Sequence, residues 1–254
     1  MSRVLVTGSA DGLGKATAQT LLREGHQVLV HVRAPHRQEA VKELVAQGAA
    51  VVTGDLADLE QTRGVAKQVS AWGPVDAVIH NAGVYSGAAV LPVNVAAPYA
   101  LTLLIPGPKR LIYLSSGMHR GGQPRLDGMD WSGGRETGTY SDSKLFVSTL
   151  AAAVARRWPA VLSNSVDPGW VPTKMGGPNA PDDLRLGHLT QEWLATSDAS
   201  EACTSGGYWH HQRRMEPHPS VNDVNFQDKL LDELARATGI GWRDEPQLDE
   251  PNAR

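Results

Sequence analysis

Tyr140 and Lys144 stand four residues apart in a stretch of good helix formers, so on a helix they share one face. A phenol titrates near ~10, too high to exchange protons at neutral pH. A neighbouring ammonium favours the phenolate and lowers that value, which turns such a pair into a general acid or base. A second chemistry-bearing stretch is Thr7-Gly8-Ser9-Ala10-Asp11-Gly12-Leu13-Gly14. Glycines permit a tight turn and close backbone approach, and a helix N-terminus offers unpaired N–H groups and a positive dipole end to a phosphate. Counted from Gly8, the glycines fall at offsets 0, 4 and 6, not in the spacing of the common dinucleotide fingerprint. Each feature has a plain alternative: an exposed helical pair, and an ordinary strand-to-helix turn.

The elements that must position these residues are legible as periodicity. Residues 4–7, 27–32, 50–53, 75–80 and 110–114 are short, nearly continuous apolar runs rich in β-branched residues. Strands buried on both faces of a parallel sheet read this way. Helical spacing fills 13–24, 36–47, 56–71 and 88–105, and Gly25 and Gly48 follow two of these segments, where a helix end favours glycine. Further on, 141–158 reads as a long helix stopped by Pro159, 161–166 and 207–211 as strands, and 222–237 as a terminal helix. Residues 117–138 form a loop-like insert with seven glycines among 22 residues, and the polar tail 244–254 reads as frayed. Strand–helix alternation of this kind predicts right-handed βαβ units. The expected fold is α/β: a single doubly wound parallel-sheet Rossmann domain over 1–254, helices on both faces, and a small C-terminal lid region.

Composition narrows the function. With 254 residues, 41% hydrophobic and 20% charged, a sizeable core is possible. A net charge of −3 gives no reason to expect nucleic acid or an anionic membrane as partner. Cys203 is the only cysteine, so no internal disulfide or cysteine metal cluster can form. No metal site is expected: His210 and His211 are adjacent, which on a strand sends them to opposite faces, and no HExxH pattern occurs. No run approaches a membrane span and no signal-peptide pattern opens the chain, so a cytoplasmic location is expected.

The glycine turn resembles the cofactor motif of the short-chain dehydrogenase/reductase family, and further matches follow in order. These are Asp55-Leu56 after the third strand, Asn81-Ala82-Gly83 after the fourth, Asn94 in the next helix, Tyr140-Ser141-Asp142-Ser143-Lys144, and Pro168-Gly169 after the sixth strand. Together they span roughly residues 3–175, and the insert after Ser115-Ser116-Gly117-Met118-His119 looks most like the retinol-dehydrogenase-like branch.

That resemblance implies an NAD(P)-dependent oxidoreductase acting on a carbonyl or alcohol. It implies Tyr140 as general acid/base, Lys144 assisting, Ser116 holding the substrate oxygen (Ser115 competing), and Asn94 anchoring a water that links Lys144 to solvent. The implied cofactor set is Gly8, Ser9, Asp11, Gly12, Leu13, Gly14, Arg33, Asp55, Leu56, Asn81, Ala82, Gly83, Tyr140, Lys144, Pro168, Gly169, Val171 and Thr173. Asp55 fits two roles, an adenine contact or the N-cap of the following helix. Preference for NADP(H) over NAD(H) is expected because the second strand ends His31-Val32-Arg33, with no carboxylate and with an arginine able to pair with a 2′-phosphate. Lys15 and Arg37 are further candidate cations. The family serine usually lies about a dozen residues before the tyrosine, whereas Ser116 lies 24 before Tyr140, so its assignment needs the insert. The substrate pocket is expected under a lid from 117–138 and 175–188, lined by Met118, Trp131, Trp170 and Met175, and suited to a small, lipophilic carbonyl or alcohol. Relatives pair through helices, which makes a homo-oligomer a candidate state, but the short Pro106-Gly107-Pro108 connection trims that face. Two alternatives stand beside this reading. One is a catalytically silent NADP(H)-binding sensor or interaction protein of the same fold. The other is a nucleotide-sugar epimerase or dehydratase, against which the short stretch after Thr173 argues.

Overall fold

The structure is a computed structural model describing residues 1–243; the tail expected over 244–254 lies outside the described residues. Seven strands run β1 (Arg3–Val6), β2 (Gln27–Val32), β3 (Ala50–Thr53), β4 (Ala77–His80), β5 (Arg110–Leu114), β6 (Leu162–Asp167) and β7 (Tyr208–His210), followed by β8 (Arg213–Met215). They form one sheet in the order β3-β2-β1-β4-β5-β6-β7-β8. Pairing is parallel from β3 to β7, and β8 turns back antiparallel on β7 through His211 and Gln212, both at positive φ.

Strand residues alternate between two cores. Val4 and Val6 of β1 point into one, and Leu5 points into the other. The first core is closed by α1 (Gly12–Arg23) and α6 (Leu184–Thr196), which pack on each other. The second is closed by α3 (Leu59–Trp72), α4 (Ala97–Leu104), α5 (Tyr140–Arg157) and α7 (Val224–Thr238). With both faces covered, β1 to β5 show no polar side, which explains their nearly continuous apolar runs; β6 instead buries Ser163, Asn164 and Ser165.

Several expected segments differ. Only Lys42–Ala46 (α2) of 36–47 is α-helical, after a 3₁₀ stretch Pro35–Val41. The third helix starts at Leu59 because Asp58, not Asp55, caps it, accepting from the N–H groups of Glu60 and Gln61. Asp55 instead accepts from Ala57 N at 2.9 Å. Helix α6 overlaps the expected lid. Of the insert 117–138, only Gly117 and Met118 reach the cleft. Part of the rest packs on α5: Gln123 N donates to Asp142 at 2.7 Å, and the Trp131 ring lies 5.8 Å from that of Phe146, in the core and off the cleft wall.

Candidate active site

The carboxyl ends of β1, β2, β4, β5 and β6 open into a cleft of about 1350 Å³. The glycine turn forms one wall. Gly8 sits at φ +68°, and a Cβ there would lie 2.9 Å from Ala82 Cα. A Cβ on Gly14 would come within 2.4 Å of both the Asn81 amide nitrogen and the Gly8 carbonyl. Only glycine lets the turn press this tightly on β4. The Asn81 amide donates to Thr7 O at 2.8 Å and Gly8 O at 3.2 Å, and the Thr7 hydroxyl accepts from the backbone N–H groups of Asn81 and Ala82. Asp11 occupies the N-cap of α1 but makes no side-chain cap. Its carboxylate accepts from Arg37 at 3.1 Å and Lys174 at 2.7 Å, strapping the turn to the chain after β6. The side chain best suited to cap α1 is thus drawn aside, and the N–H groups of its first turn remain for a ligand.

At the other end, Thr139 and Asp142 form a reciprocal capping box that starts α5 at Tyr140. One turn later Lys144 is buried, donates to Leu114 O at 2.7 Å, and holds its ammonium 5.3 Å from the Tyr140 ring centre. Burial pushes the Tyr140 phenol up to about 12; the Ser116 hydroxyl opposes that shift, while the Asp167 carboxylate adds to it. Burial pulls Lys144 down to about 8, against the Asp167 charge. The expected lowering of the phenol by the ammonium does not emerge in the chain alone, where desolvation dominates. A half-buried phenol at about 12 is a proton donor at neutral pH.

Of the two serines, Ser116 is the one whose hydroxyl acts on the Tyr140 phenol, and it also accepts from Met118 N at 3.2 Å. Ser115 spends its hydroxyl on Ser148 at 2.7 Å and Lys144 O at 3.2 Å. Gly12, Leu13, Arg33, Asp55, Leu56, Ala82, Gly83, Pro168, Gly169, Val171 and Thr173 also line the cleft.

Three expected residues lie elsewhere. Ser9 is off the cleft wall, its hydroxyl donating to Val6 O at 2.6 Å and accepting from His31 N. Asn94 is buried in a single π-helical turn, Pro92–Ala96, where it bonds both backbone groups of Val84 and the Ser143 hydroxyl. It nevertheless sits beside the chemistry, since a Cβ on Gly83 would lie 3.4 Å from its Oδ1 and 3.6 Å from Lys144 Nζ. Lys15 pairs with Glu43 at 3.5 Å instead of facing the cleft.

Other cleft residues escaped sequence reasoning. The Tyr85 ring lies 4.9 Å from the Tyr140 ring, and its position two residues after Asn81-Ala82-Gly83 was the available signal. Asp167 acts on both Tyr140 and Lys144, and His210 stands 3.7 Å from its carboxylate. Among the described residues no group of His, Cys, Asp and Glu is arranged to hold a metal ion, and no helix is long and apolar enough to cross a membrane.

The family model for short chain dehydrogenase matches residues 2–99. An uncharacterized oxidoreductase of Emericella nidulans is 36% identical over 95% of this chain and 98% of its own. The polyprenol dehydrogenase of Mus musculus is 29% identical over 94% of this chain and 84% of its own. Among solved structures, a blue fluorescent protein from a metagenomic library, in complex with NADPH, aligns with TM-score 0.69 at 22% identity, covering 82% of this chain and 95% of that one. The glycine turn, the ordered motifs and these likenesses converge: the chain belongs to the short-chain dehydrogenase/reductase family, oxidoreductases that use a nicotinamide cofactor.

Proposed function

We propose that the chain is an NADP(H)-dependent carbonyl reductase in which Tyr140 donates the proton. The observation that carries this reading is Tyr140 itself: half-buried on the cleft wall with the Lys144 ammonium 5.3 Å from its ring centre, and with its phenol held up to about 12 and so in the donor form at neutral pH. The cradle fits a dinucleotide. Gly8 and Gly14 leave no space for a Cβ, which brings backbone to the cleft surface, and the first turn of α1 offers its N–H groups to a pyrophosphate. Gly12, Leu13 and the segment Pro168 to Thr173 would hold the phosphate and nicotinamide ends. Asp55 and Leu56 would take the adenine, and Arg33, exposed at the end of β2, a 2′-phosphate. When bound, the nicotinamide supplies the hydride.

Ser116 fixes the substrate oxygen, Tyr140 gives it a proton, and the Lys144 ammonium favours the phenolate left behind. Asn94, next to Lys144, holds the backbone path by which a water would return that proton. Tyr85, Met118, Trp170 and Met175 are all roughly half exposed and all line the cleft. Such an apolar mouth suits a lipophilic aldehyde or ketone. The NADPH complex of the structural neighbour and the printed name of the polyprenol relative agree with this reading.

The test follows NADPH consumption with a panel of aldehydes, ketones and quinones. Turnover is expected to fall at least about a hundredfold in Tyr140→Phe. Arg33→Ala is expected to raise KM for NADPH about tenfold or more and leave NADH unaffected. Tight NADPH binding with no turnover across the panel would favour the silent sensor, and wild-type preference for NADH would overturn the Arg33 assignment.

A further inference from the structure

His31, the second-last residue of β2, is 3% exposed and none of the proposed chemistry uses it. Its ring lies between two loops that bound the cleft. Gly8 N donates to Nδ1 at 3.1 Å, and Nε2 is 2.8 Å from Gly54 O. A backbone N–H can only donate and a carbonyl can only accept, so the ring must be neutral with its proton on Nε2. Burial also favours the neutral form, with the Asp55 carboxylate opposing. Backbone bonds reinforce the join: Ser9 N donates to His31 O at 2.9 Å, and His31 N to the Ser9 hydroxyl at 3.3 Å. The two anchored residues are themselves confined, Gly8 by Ala82 and Gly54 by Val65, whose methyl would lie 2.7 Å from an added Cβ.

Gly8, at positive φ and without a side chain, has the most conformational freedom to lose and the least means of holding its own orientation. The imidazole supplies that orientation from outside. Gly54 leads directly into Asp55 and Leu56, which line the cleft with Gly8, His31, Val32 and Arg33.

We propose that His31 is a positioning residue of the cofactor site: its imidazole ties the glycine turn to the Gly54–Asp55 corner and sets the gap that grips the adenosine half of NADP(H). The inference rests on the cofactor reading above and assigns its geometry to a residue outside the phosphate and adenine contacts. The tether acts on the half that NADPH and NADH share, so it governs affinity for both.

The experiment titrates NADPH and NADH into the full chain without substrate, read by energy transfer from tryptophan to the reduced nicotinamide. His31→Leu removes both ring bonds, His31→Asn keeps an acceptor for Gly8, and His31→Gln keeps a donor toward Gly54. Expected is a loss of about tenfold or more in affinity for both dinucleotides in His31→Leu, the size of one buried hydrogen bond left unmade. His31→Asn and His31→Gln, each keeping one anchor, recover only part of it, and kcat at saturating NADPH falls far less than the affinity; full recovery by either would overturn the tie between the two loops. Equal affinity of His31→Leu and wild type overturns the His31 role alone; failure of wild type to bind either dinucleotide overturns the cofactor reading with it. Should the leucine variant not fold, ¹⁵N NMR of the wild-type histidines decides. Nε2 protonated and Nδ1 unprotonated across pH 6 to 8 supports the tether, and the opposite tautomer or an ordinary titration overturns it.

Discussion

At the first turn of α5, burial works against both members of the reacting pair, keeping the Tyr140 phenol protonated and straining the Lys144 ammonium. For Lys144 the sign of the stability effect is fixed. Its folded value of about 8 lies below the ordinary 10.5, so between those two values the unfolded chain binds more protons and stability rises with pH. Below pH 8 the folded chain carries the whole cost of the buried ammonium, about 3 kcal/mol from the difference between 10.5 and 8. Lys144→Met removes that cost. Because Leu114 O then loses its donor, stability at pH 7 is expected to rise by clearly less than that figure, the rise in stability between pH 8 and 10.5 to flatten, and turnover to fall at least about a hundredfold. Chemical unfolding at stepped pH, beside the NADPH assay, checks all three; a midpoint that falls at pH 7 would contradict the account. Tyr140 and Lys144 could be read from the sequence because residue type and helical spacing alone pair them. Ser9, Lys15 and Asn94 could not, because the direction each faces is set by partners distant in the chain or across the fold: His31 for Ser9, Glu43 for Lys15, Ser143 for Asn94.

Among elements, the strand-to-helix unit of β1 and α1 is the most tightly specified. Gly14→Ala tests it, since the added methyl would meet the Gly8 carbonyl and the Asn81 amide at 2.4 Å, and backbone cannot swing aside as a flexible side chain can. Expected are a destabilisation of roughly 1–3 kcal/mol by chemical unfolding and a loss of NADPH affinity of about tenfold or more, since the turn must open to admit the methyl. Gly25→Ala serves as contrast: unlike Gly14 it sits at positive φ, and it has nothing within 4 Å, so it tests backbone strain without a clash and leaves NADPH affinity unchanged. Most of the parallel strands were legible because burial on both faces makes them largely apolar; β6 is the exception, with Ser163, Asn164 and Ser165 buried in sequence. Helix α6 was not, because Thr190, Gln191 and Glu192 are buried polar residues that break its apolar stripe. Strand β8 was not, because Arg213, Arg214 and Met215 are all exposed and carry no alternation. The glycines of the insert predict a loop and the family resemblance implies a lid there, yet part of it is fastened to α5 by Gln123 and Trp131.

Across the whole molecule, α5 shows how the chain uses its own C-terminal region. From Asp142 to Val154 every residue of this helix is buried except Ala152, which is partly so. One side faces β5 and β6, and the other lies under α7. Arg156 and Arg157 both reach Asp228 on α7, Arg156 also bonds Gln227, and the Phe226 ring lies 6.1 Å from Phe146. Helix α4 is covered likewise: the Tyr99 hydroxyl donates to Ile240 O at 2.7 Å, and Trp242 packs against Tyr99 and Trp158. A helix surrounded on all sides within one chain has no apolar face left for a second copy. We therefore expect the chain to sediment as a 27.2 kDa monomer at micromolar concentration. Phe226→Ala, which empties the contact between α7 and α5, is expected to cost roughly 3–5 kcal/mol and to move the sedimentation coefficient upward with concentration as the α5 face opens. A stable wild-type dimer would mean that pairing uses a different surface, or that α7 moves aside; amide exchange on α7 would separate these, because only displacement of α7 leaves its backbone unprotected.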